Sequence, residues 1–271
     1  RNLGLFGQWE GNLGKGLLLS GGLRYDHYFG SFGGTLNPRV AAIYSLTGTS
    51  TVKLLYGEAF RAPNPYERFY YTGSRTRTLQ PERIRTEELV LEHYWGPAYR
   101  GTISLYQYDI KRLINQAATP AGDVYFENLD ATHAIGGELE FEAKHASGLL
   151  ARVSYAHQKA EDVGTGETLT NSPRSLAKLN LAWAAPRQVF SAGGELQFQS
   201  GLRTLAGART GSAMVANLHV TSRRLVPGCE LAITASNLFD RRYATPGAEE
   251  HAQDTLVQPG RLLWLKLTRK F

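Results

Sequence analysis

Arginine and tyrosine crowd one stretch, residues 61–84, which holds Arg61, Tyr66, Arg68, Phe69, Tyr70, Tyr71, Arg75 and Arg77. A guanidinium presents a planar fork of donors that matches carboxylate, catecholate or phosphate oxygens. Aromatic rings supply flat, stiff contact area, and tyrosine adds a polar tip. The mixture suits an anionic, ring-bearing small molecule; phosphates at a lipid surface, or packing of the loop on itself, would use the same side chains. A smaller group, Arg241, Arg242 and Tyr243, offers the same chemistry or anchors its own loop. Glu249, Glu250, His251 and Asp254 could gather a cation, but such a ligand set discriminates poorly among metals, and a solvated loop is the better reading. Glu138, Glu140 and Glu142 form an i, i+2 row. Paired carboxylates can hydrolyse glycosides, yet a water-lined sheet face needs such a row anyway.

No enzyme emerges from the remaining motifs. Gly11 to Gly16 is followed by Leu17 and Leu18 rather than the Lys and Ser/Thr of a phosphate loop. No Gly-x-Ser-x-Gly elbow occurs, and His93, His133, His157 and His219 lack zinc spacing. The single Cys229 excludes an intrachain disulfide framework. We expect no catalytic residue, no cofactor and no metal site.

The elements that must carry these residues follow from alternation. Mean hydropathy is −0.30 and no run of eighteen apolar residues occurs, so no helix spans a membrane. Strands of about ten alternating residues would still do so. Gly137, Leu139, Phe141 and Ala143 oppose Glu138, Glu140, Glu142 and Lys144; Leu179, Leu181 and Trp183 oppose Lys178, Asn180 and Ala182; Leu196 and Phe198 oppose Glu195, Gln197 and Gln199. Successive strand side chains face opposite sides, so each segment has one apolar and one polar face. We read about thirteen strands, near 3–9, 16–27, 36–47, 50–60, 85–95, 99–112, 131–145, 149–160, 174–185, 189–202, 213–224, 228–238 and 258–271.

Their connections sort by parity. Short turns at 47–50, 96–98, 145–148, 186–188 and 226–228 take strict turns with long loops at 61–84, 113–130, 161–173, 203–212 and 239–257. That pattern predicts an all-β, antiparallel, up-and-down transmembrane barrel with tight inner turns and long outer loops. It places Tyr25, Tyr44, Tyr94, Trp95, Tyr155 and Trp183 as candidates for the aromatic girdle, and Cys229 on the apolar face. The net charge of +6 is spread along the chain without a basic block, so nucleic acid is not an expected partner.

Several segments resemble, in order and spacing, those of TonB-dependent outer-membrane receptors of the siderophore type. They are Gly22-Leu23-Arg24-Tyr25-Asp26, Asn37-Pro38-Arg39, Tyr56-Gly57-Glu58-Ala59-Phe60-Arg61-Ala62-Pro63, Leu79-Gln80-Pro81-Glu82, Asn128-Leu129-Asp130 with Gly136-Gly137-Glu138-Leu139-Glu140, Asn237-Leu238-Phe239-Asp240-Arg241-Arg242-Tyr243, and Pro259-Gly260-Arg261. The resemblance implies that residues 1–271 are the C-terminal part of such a barrel. Family barrels have twenty-two strands, so these would be about the last thirteen, an open partial barrel without its plug domain and first strands. Leu263, Leu265, Leu267 and the terminal Phe271 resemble the signal taken up by the barrel-assembly machinery through edge pairing, with Arg269 off pattern. The function implied is TonB-dependent uptake of a scarce nutrient across the Gram-negative outer membrane. The expected ligand is a ferric siderophore, held at the outer loops by Arg61, Tyr66, Arg68, Tyr70, Tyr71, Arg75, Arg77, Arg241, Arg242 and Tyr243. The expected partners are the TonB complex, through the missing plug, and lipopolysaccharide. Cobalamin uptake or a plugless porin-like barrel are the alternatives.

Overall fold

The structure, a computed structural model, describes residues 1–70, 79–118, 123–128, 131–185, 189–223, 225, 228–248 and 250–269. Its strands are β1 (Asn2–Asn12), β2 (Leu17–Tyr28), β3 (Gly33–Ser45), β4 (Ser50–Arg61), β5 (Glu82–Trp95), β6 (Tyr99–Lys111), β7 (Ile114–Ala118), β8 (Val124–Asn128), β9 (Ala131–Lys144), β10 (Leu149–Asp162), β11 (Ser175–Ala184), β12 (Ser191–Gln199), β13 (Ala213–Ser222), β14 (Cys229–Ser236), β15 (Ala244–Pro246), β16 (Thr255–Val257) and β17 (Leu262–Arg269), with one short helix, α1 (Pro65–Phe69). Thirteen strands form one sheet in the order β1-β2-β3-β4-β5-β6-β9-β10-β11-β12-β13-β14-β17. Each expected strand has its counterpart there, with ends shifted by a few residues.

Three regions read as plain loops carry structure of their own. Residues 61–84 contain α1, and 113–130 contain the β7–β8 hairpin, registered Ile114 to Asn128 and Ala117 to Tyr125. Residues 239–257 contain the β15–β16 pair, Ala244 to Val257. The alternation of loop length also has an exception: β2 and β3 are joined by residues 29–32 alone, on the side where the other connections are long.

The chain divides into two compact units, Arg1–Leu91 with Ser104–Gly136 and Lys159–Thr168, and Glu92–Ile103 with Gly137–Gln158 and Leu169–Phe271. In the first, the register pairs Leu5 with Tyr25 and Tyr25 with Leu36 on one face, and Phe6 with Arg24 and Arg24 with Asn37 on the other. In the second, Val153, Leu179, Leu196 and Ala216 form one cross-strand row, beside the polar row Arg152, Asn180, Glu195 and Asn217. Pleating therefore sorts the side chains as alternation predicts. The apolar rows are open to the surroundings: Leu5 is 60% and Leu105 53% exposed. A sheet of this kind keeps little closed core, and the clustered buried apolar side chains, Leu79, Ile114 and Phe126, sit under the long loops of the first unit.

Of the girdle candidates, Tyr25, Tyr44, Trp95 and Trp183 are exposed near strand ends, and Tyr155 is exposed midway along β10. Tyr94, also exposed, has the opposite parity and shares the strand face of Glu92, which pairs with Arg100. Cys229 stands in register with Arg269, two positions from the Leu231–Leu267 pair, on the apolar side.

Candidate ligand-binding site

The arginine- and tyrosine-rich stretch starts at the end of β4, where Arg61 is drawn into a closed set of ion pairs. Its Nε and Nη2 donate to the two carboxylate oxygens of Glu82, at 2.6 and 2.7 Å, and its Nη1 donates to Glu67 at 2.7 Å. A two-pronged guanidinium–carboxylate pair fixes direction as well as distance. Both carboxylates are buried, Glu67 at 7% and Glu82 at 9% exposure. Glu82 also accepts the Ile114 N–H at 2.8 Å, which ties the start of β7 to the same anchor.

Helix α1 grows from this anchor. Asn64 caps it: its side chain accepts the Glu67 N–H at 2.8 Å, and the Glu67 carboxylate accepts the Asn64 N–H at 2.8 Å. Pro65 occupies the first turn, where its missing N–H costs nothing. Glu67 thus serves the helix cap with one oxygen and Arg61 with the other. Asn128 closes the return of the loop: it accepts the Gln80 N–H at 2.8 Å and donates to the carbonyls of Gln80 and Arg112 at 2.9 and 2.7 Å.

The helix presents a compact aromatic and cationic surface. Tyr66 and Tyr70 stack at 4.5 Å between ring centroids, and Tyr66 meets buried Phe126 edge-on at 5.8 Å. Tyr66 and Tyr70 remain 48% and 66% exposed. Arg68 donates to the Ser31 hydroxyl at 2.8 Å and lies over the Phe69 ring at 5.2 Å. Its Nε is buried without a hydrogen-bond partner. Tyr71, Arg75 and Arg77 lie outside the described residues.

Residues the composition did not single out stand in the same unit. Arg24 forks onto Asp26 at 2.7 and 2.8 Å on the polar face. Tyr28, Phe32 and Phe60 form a ring cluster, with Tyr28–Phe32 centroids 4.6 Å and Tyr28–Phe60 centroids 6.0 Å apart. With Arg39 and Asn37, the side chains of Arg24, Tyr28 and Phe60 line a recess of about 490 Å3. The cue for Arg24 is its even position in β2, opposite in parity to Leu23 and Tyr25.

In the second unit, Arg241, Arg242 and Tyr243 follow a pinned turn. Asn237, at a left-handed φ of 49°, accepts the Arg241 N–H at 2.8 Å and donates to the carbonyls of Arg241 and Pro259 at 2.8 and 3.1 Å. Asp240 accepts the Arg261 N–H at 2.8 Å. Arg241 and Arg242 are exposed and Tyr243 is half-buried. Asp254 accepts the Ala206 N–H and His251 the Ala248 N–H, while Glu249 lies outside the described residues. Among the described residues, no three acidic, histidine or cysteine side chains gather as a metal set.

The glutamate row is neutralised by neighbouring arginines. Arg100 reaches Glu140 at 2.9 Å, Glu142 at 3.0 Å and Glu92 at 3.6 Å, and Arg152 donates from Nε to Glu142 at 2.7 Å. Glu140 and Glu142 are thereby absorbed into a five-residue charge network on the polar face. Leu263, Leu265 and Leu267 stand in one row on β17, in register with Ala235, Ile233 and Leu231. Phe271 lies outside the described residues.

Residues 1–238 match the family model described as TonB dependent receptor-like, beta-barrel. The chain belongs to the TonB-dependent receptor β-barrel family. It is 24% identical to the heme/hemopexin utilization protein C of Haemophilus influenzae, over 85% of this chain and 38% of that protein. It is 29% identical to the vitamin B12 transporter BtuB of Vibrio cholerae, over 60% of this chain and 26% of that protein. Among solved structures, the ferric enterobactin receptor PfeA of Pseudomonas aeruginosa covers all of the chain at TM-score 0.79 and 20% identity, with 45% of the receptor matched. The copper transporter OprC matches at TM-score 0.77 and 19% identity, over 98% of this chain and 47% of that one. These structural likenesses show the fold, and the chain spans less than half the length of each of these relatives.

Proposed function

We propose that the chain is part of an outer-membrane receptor that takes up a ferric siderophore with energy from TonB. One observation carries the ligand assignment: α1, anchored through Glu67 to Arg61, holds the exposed Tyr66–Tyr70 stack and, on the same short helix, the Arg68 cation. Anionic, ring-bearing iron chelates present what that surface accepts, flat rings and oxygen anions. Arg61 acts here as the anchor rather than as a contact, because Glu82 and Glu67 take its donors. Tyr71, Arg75 and Arg77, outside the described residues, are proposed as further ligand contacts on chemistry alone, as are Arg241, Arg242 and Tyr243 in their own unit. The family is one of receptors, and no catalytic step is assigned to any residue.

The parts this reading needs beyond the chain are a plug domain that engages the TonB complex and the barrel strands that complete the wall. The row Leu263, Leu265 and Leu267, with Phe271, is read as the strand that the barrel-assembly machinery accepts, and lipopolysaccharide as the surrounding outer-leaflet lipid. The experiment is calorimetric titration of the full-length receptor with a ferric tris-catecholate. The triple replacement Tyr66→Ala, Arg68→Ala, Tyr70→Ala is expected to weaken binding at least tenfold; unchanged affinity removes the site.

The relatives motivate a rival cargo, haem, since the Haemophilus likeness covers 85% of the chain. A tyrosine phenolate is a competent haem-iron ligand, and Tyr66 and Tyr70 are accessible. Haem that binds tighter than the catecholate, with a Soret band that shifts in the Tyr70→Phe variant, would replace the siderophore reading. Cobalamin, the cargo named for the Vibrio relative, is the third arm of the same titration.

A further inference from the structure

A polar cluster occupies the apolar side of the first unit. By register, Val40 pairs with Tyr56 and Ala42 with Leu54, and Val40 and Leu54 are 54% and 55% exposed. The Tyr56 hydroxyl donates to Glu58 at 2.5 Å. On the neighbouring strands Gln107 donates to Glu87 at 2.5 Å, Arg85 donates to Asp109 at 3.3 Å, and His133 meets Asp109 at 2.8 Å. Two residues further along the same face of each strand, the side chains become apolar: Leu89, Leu105 and Ile135, all exposed.

That boundary has a recess beneath it. A groove of about 530 Å3 runs between Val40, Leu54, Leu89, Leu105 and Ile135, with Tyr56, Glu87 and Gln107 at its rim. Beyond the rim, toward the long loops, stand Arg83 and Lys111. Both are exposed, and neither makes an ion pair among the described residues. Along the strands the order is therefore apolar groove, hydrogen-bonding acids and amide, then unpaired cations.

We infer that this face is a seat for one phosphorylated glycolipid of the outer leaflet, with an acyl chain in the groove and its phosphate on Arg83 and Lys111. The ordering matches such a lipid from tail to head. Methylenes take the apolar floor, sugar hydroxyls and amides meet the carboxylates and the Gln107 amide, and the phosphate meets the outermost cations. Polar groups on the lipid side of a barrel are costly unless they lie at the interface or are satisfied. Here they are bonded to one another, and the free donors point where anionic headgroups lie. Arg85, shared with Asp109 and Glu87, holds the acids in place for the sugar rather than competing for the phosphate. The inference rests on the outward direction of the long loops in the proposed function, but not on which nutrient the loops bind.

Native mass spectrometry of the full-length receptor in detergent tests it, with bis-phosphorylated hexa-acyl lipid A as probe. One lipid should stay bound per receptor, retained at least tenfold over the dephosphorylated lipid and over phosphatidylcholine. The double variant Arg83→Gln, Lys111→Gln should lose that preference at least tenfold, because both side chains are exposed and their removal leaves the sheet intact. Ile135→Trp, which fills the groove, should reduce retention of both lipid A forms. Equal retention of the dephosphorylated lipid, or full retention by the double variant with heat-modifiable migration preserved, overturns the assignment. Ferric catecholate binding by the same variants is expected to be unchanged, so failure here is separable from failure of the ligand reading.

Discussion

Arg61 and Glu82 lie 21 residues apart and face each other as a fork on a carboxylate, at 2.6 and 2.7 Å. One closes the Phe60-Arg61-Ala62-Pro63 segment and the other the Leu79-Gln80-Pro81-Glu82 segment, so the two segments that bracket the loop meet through one ion pair. Helix α1 is hung from that pair, because its cap shares Glu67 with Arg61.

Removing Arg61 should therefore free the loop before it unfolds the sheet. Arg61→Ala leaves two buried carboxylates unpaired, a loss of about 1–3 kcal/mol. A fully buried pair would lose about 3–5 kcal/mol, but the Arg61 side chain is 45% exposed and solvent screens part of the loss. Arg61→Lys keeps the charge and loses the fork, so it should fall between. Limited trypsin digestion at Arg68, followed by mass spectrometry, should show cleavage rising in the order wild type, Lys, Ala; equal rates would detach the loop from this anchor.

Phe126 should hold the hairpin rather than the wall. It packs with Leu79 and Ile114 beneath Tyr66. Phe126→Ala removes a buried ring, which typically costs about 3–5 kcal/mol. The expected readout is hydrogen exchange accelerated in β7, β8 and α1, with the protection of β2 and β3 unchanged.

Asn237 offers a test with two arms. Its side chain satisfies three backbone groups and its backbone is left-handed. Asn237→Gly keeps the allowed φ and loses the bonds; Asn237→Ala loses both, adding roughly 1 kcal/mol of strain. Exchange across 237–261 should rise in both, more in Ala. Exchange raised in the Ala variant but unchanged in the Gly variant would assign the residue to conformation alone.

The outermost strands of the sheet make a prediction about the chain alone. β1 and β17 each have one neighbour in the sheet order. An unpaired strand edge in a bilayer leaves backbone groups unsatisfied at several kcal/mol each. Expressed by itself and refolded in detergent, the chain should self-associate through these edges. A monomeric species on sedimentation, with a cooperative melt, would contradict this.

The thirteen wall strands are legible in the sequence because each repeats one decision, apolar or polar, at every second position for eight or more residues. The Leu139–Phe141 face and the Glu140–Glu142 face need no partner to be recognised. The short pieces fail for the converse reason. β15 ends in Pro246 and pairs only Ala244, Thr245 and Pro246 with Val257, Leu256 and Thr255. Three residues are too few for a period to show. Helix α1 has a readable start, Asn64-Pro65-Tyr66-Glu67, in which a capping residue is followed by glutamate at the third position. What the residues could not declare is partnership. Arg61 carries the same guanidinium as Arg68, and only the fold decides that one is consumed by Glu82 and Glu67 while the other meets Ser31 and the Phe69 ring.

Trp9, Trp95 and Trp183 sit beside the short connections 13–16, 96–98 and 185–190, on the apolar side of their strands, whereas Trp264 on β17 pairs with Thr234 on the polar side. Three of the four indoles in the chain therefore stand at the short-connection ends of their own strands. Their emission is a depth gauge: it should blue-shift when those strand ends enter a bilayer and stay almost silent when cargo docks at the long loops. Optical assays of docking thus need a fluorophore installed among the long loops, while the native indoles time the arrival of the barrel wall in the membrane.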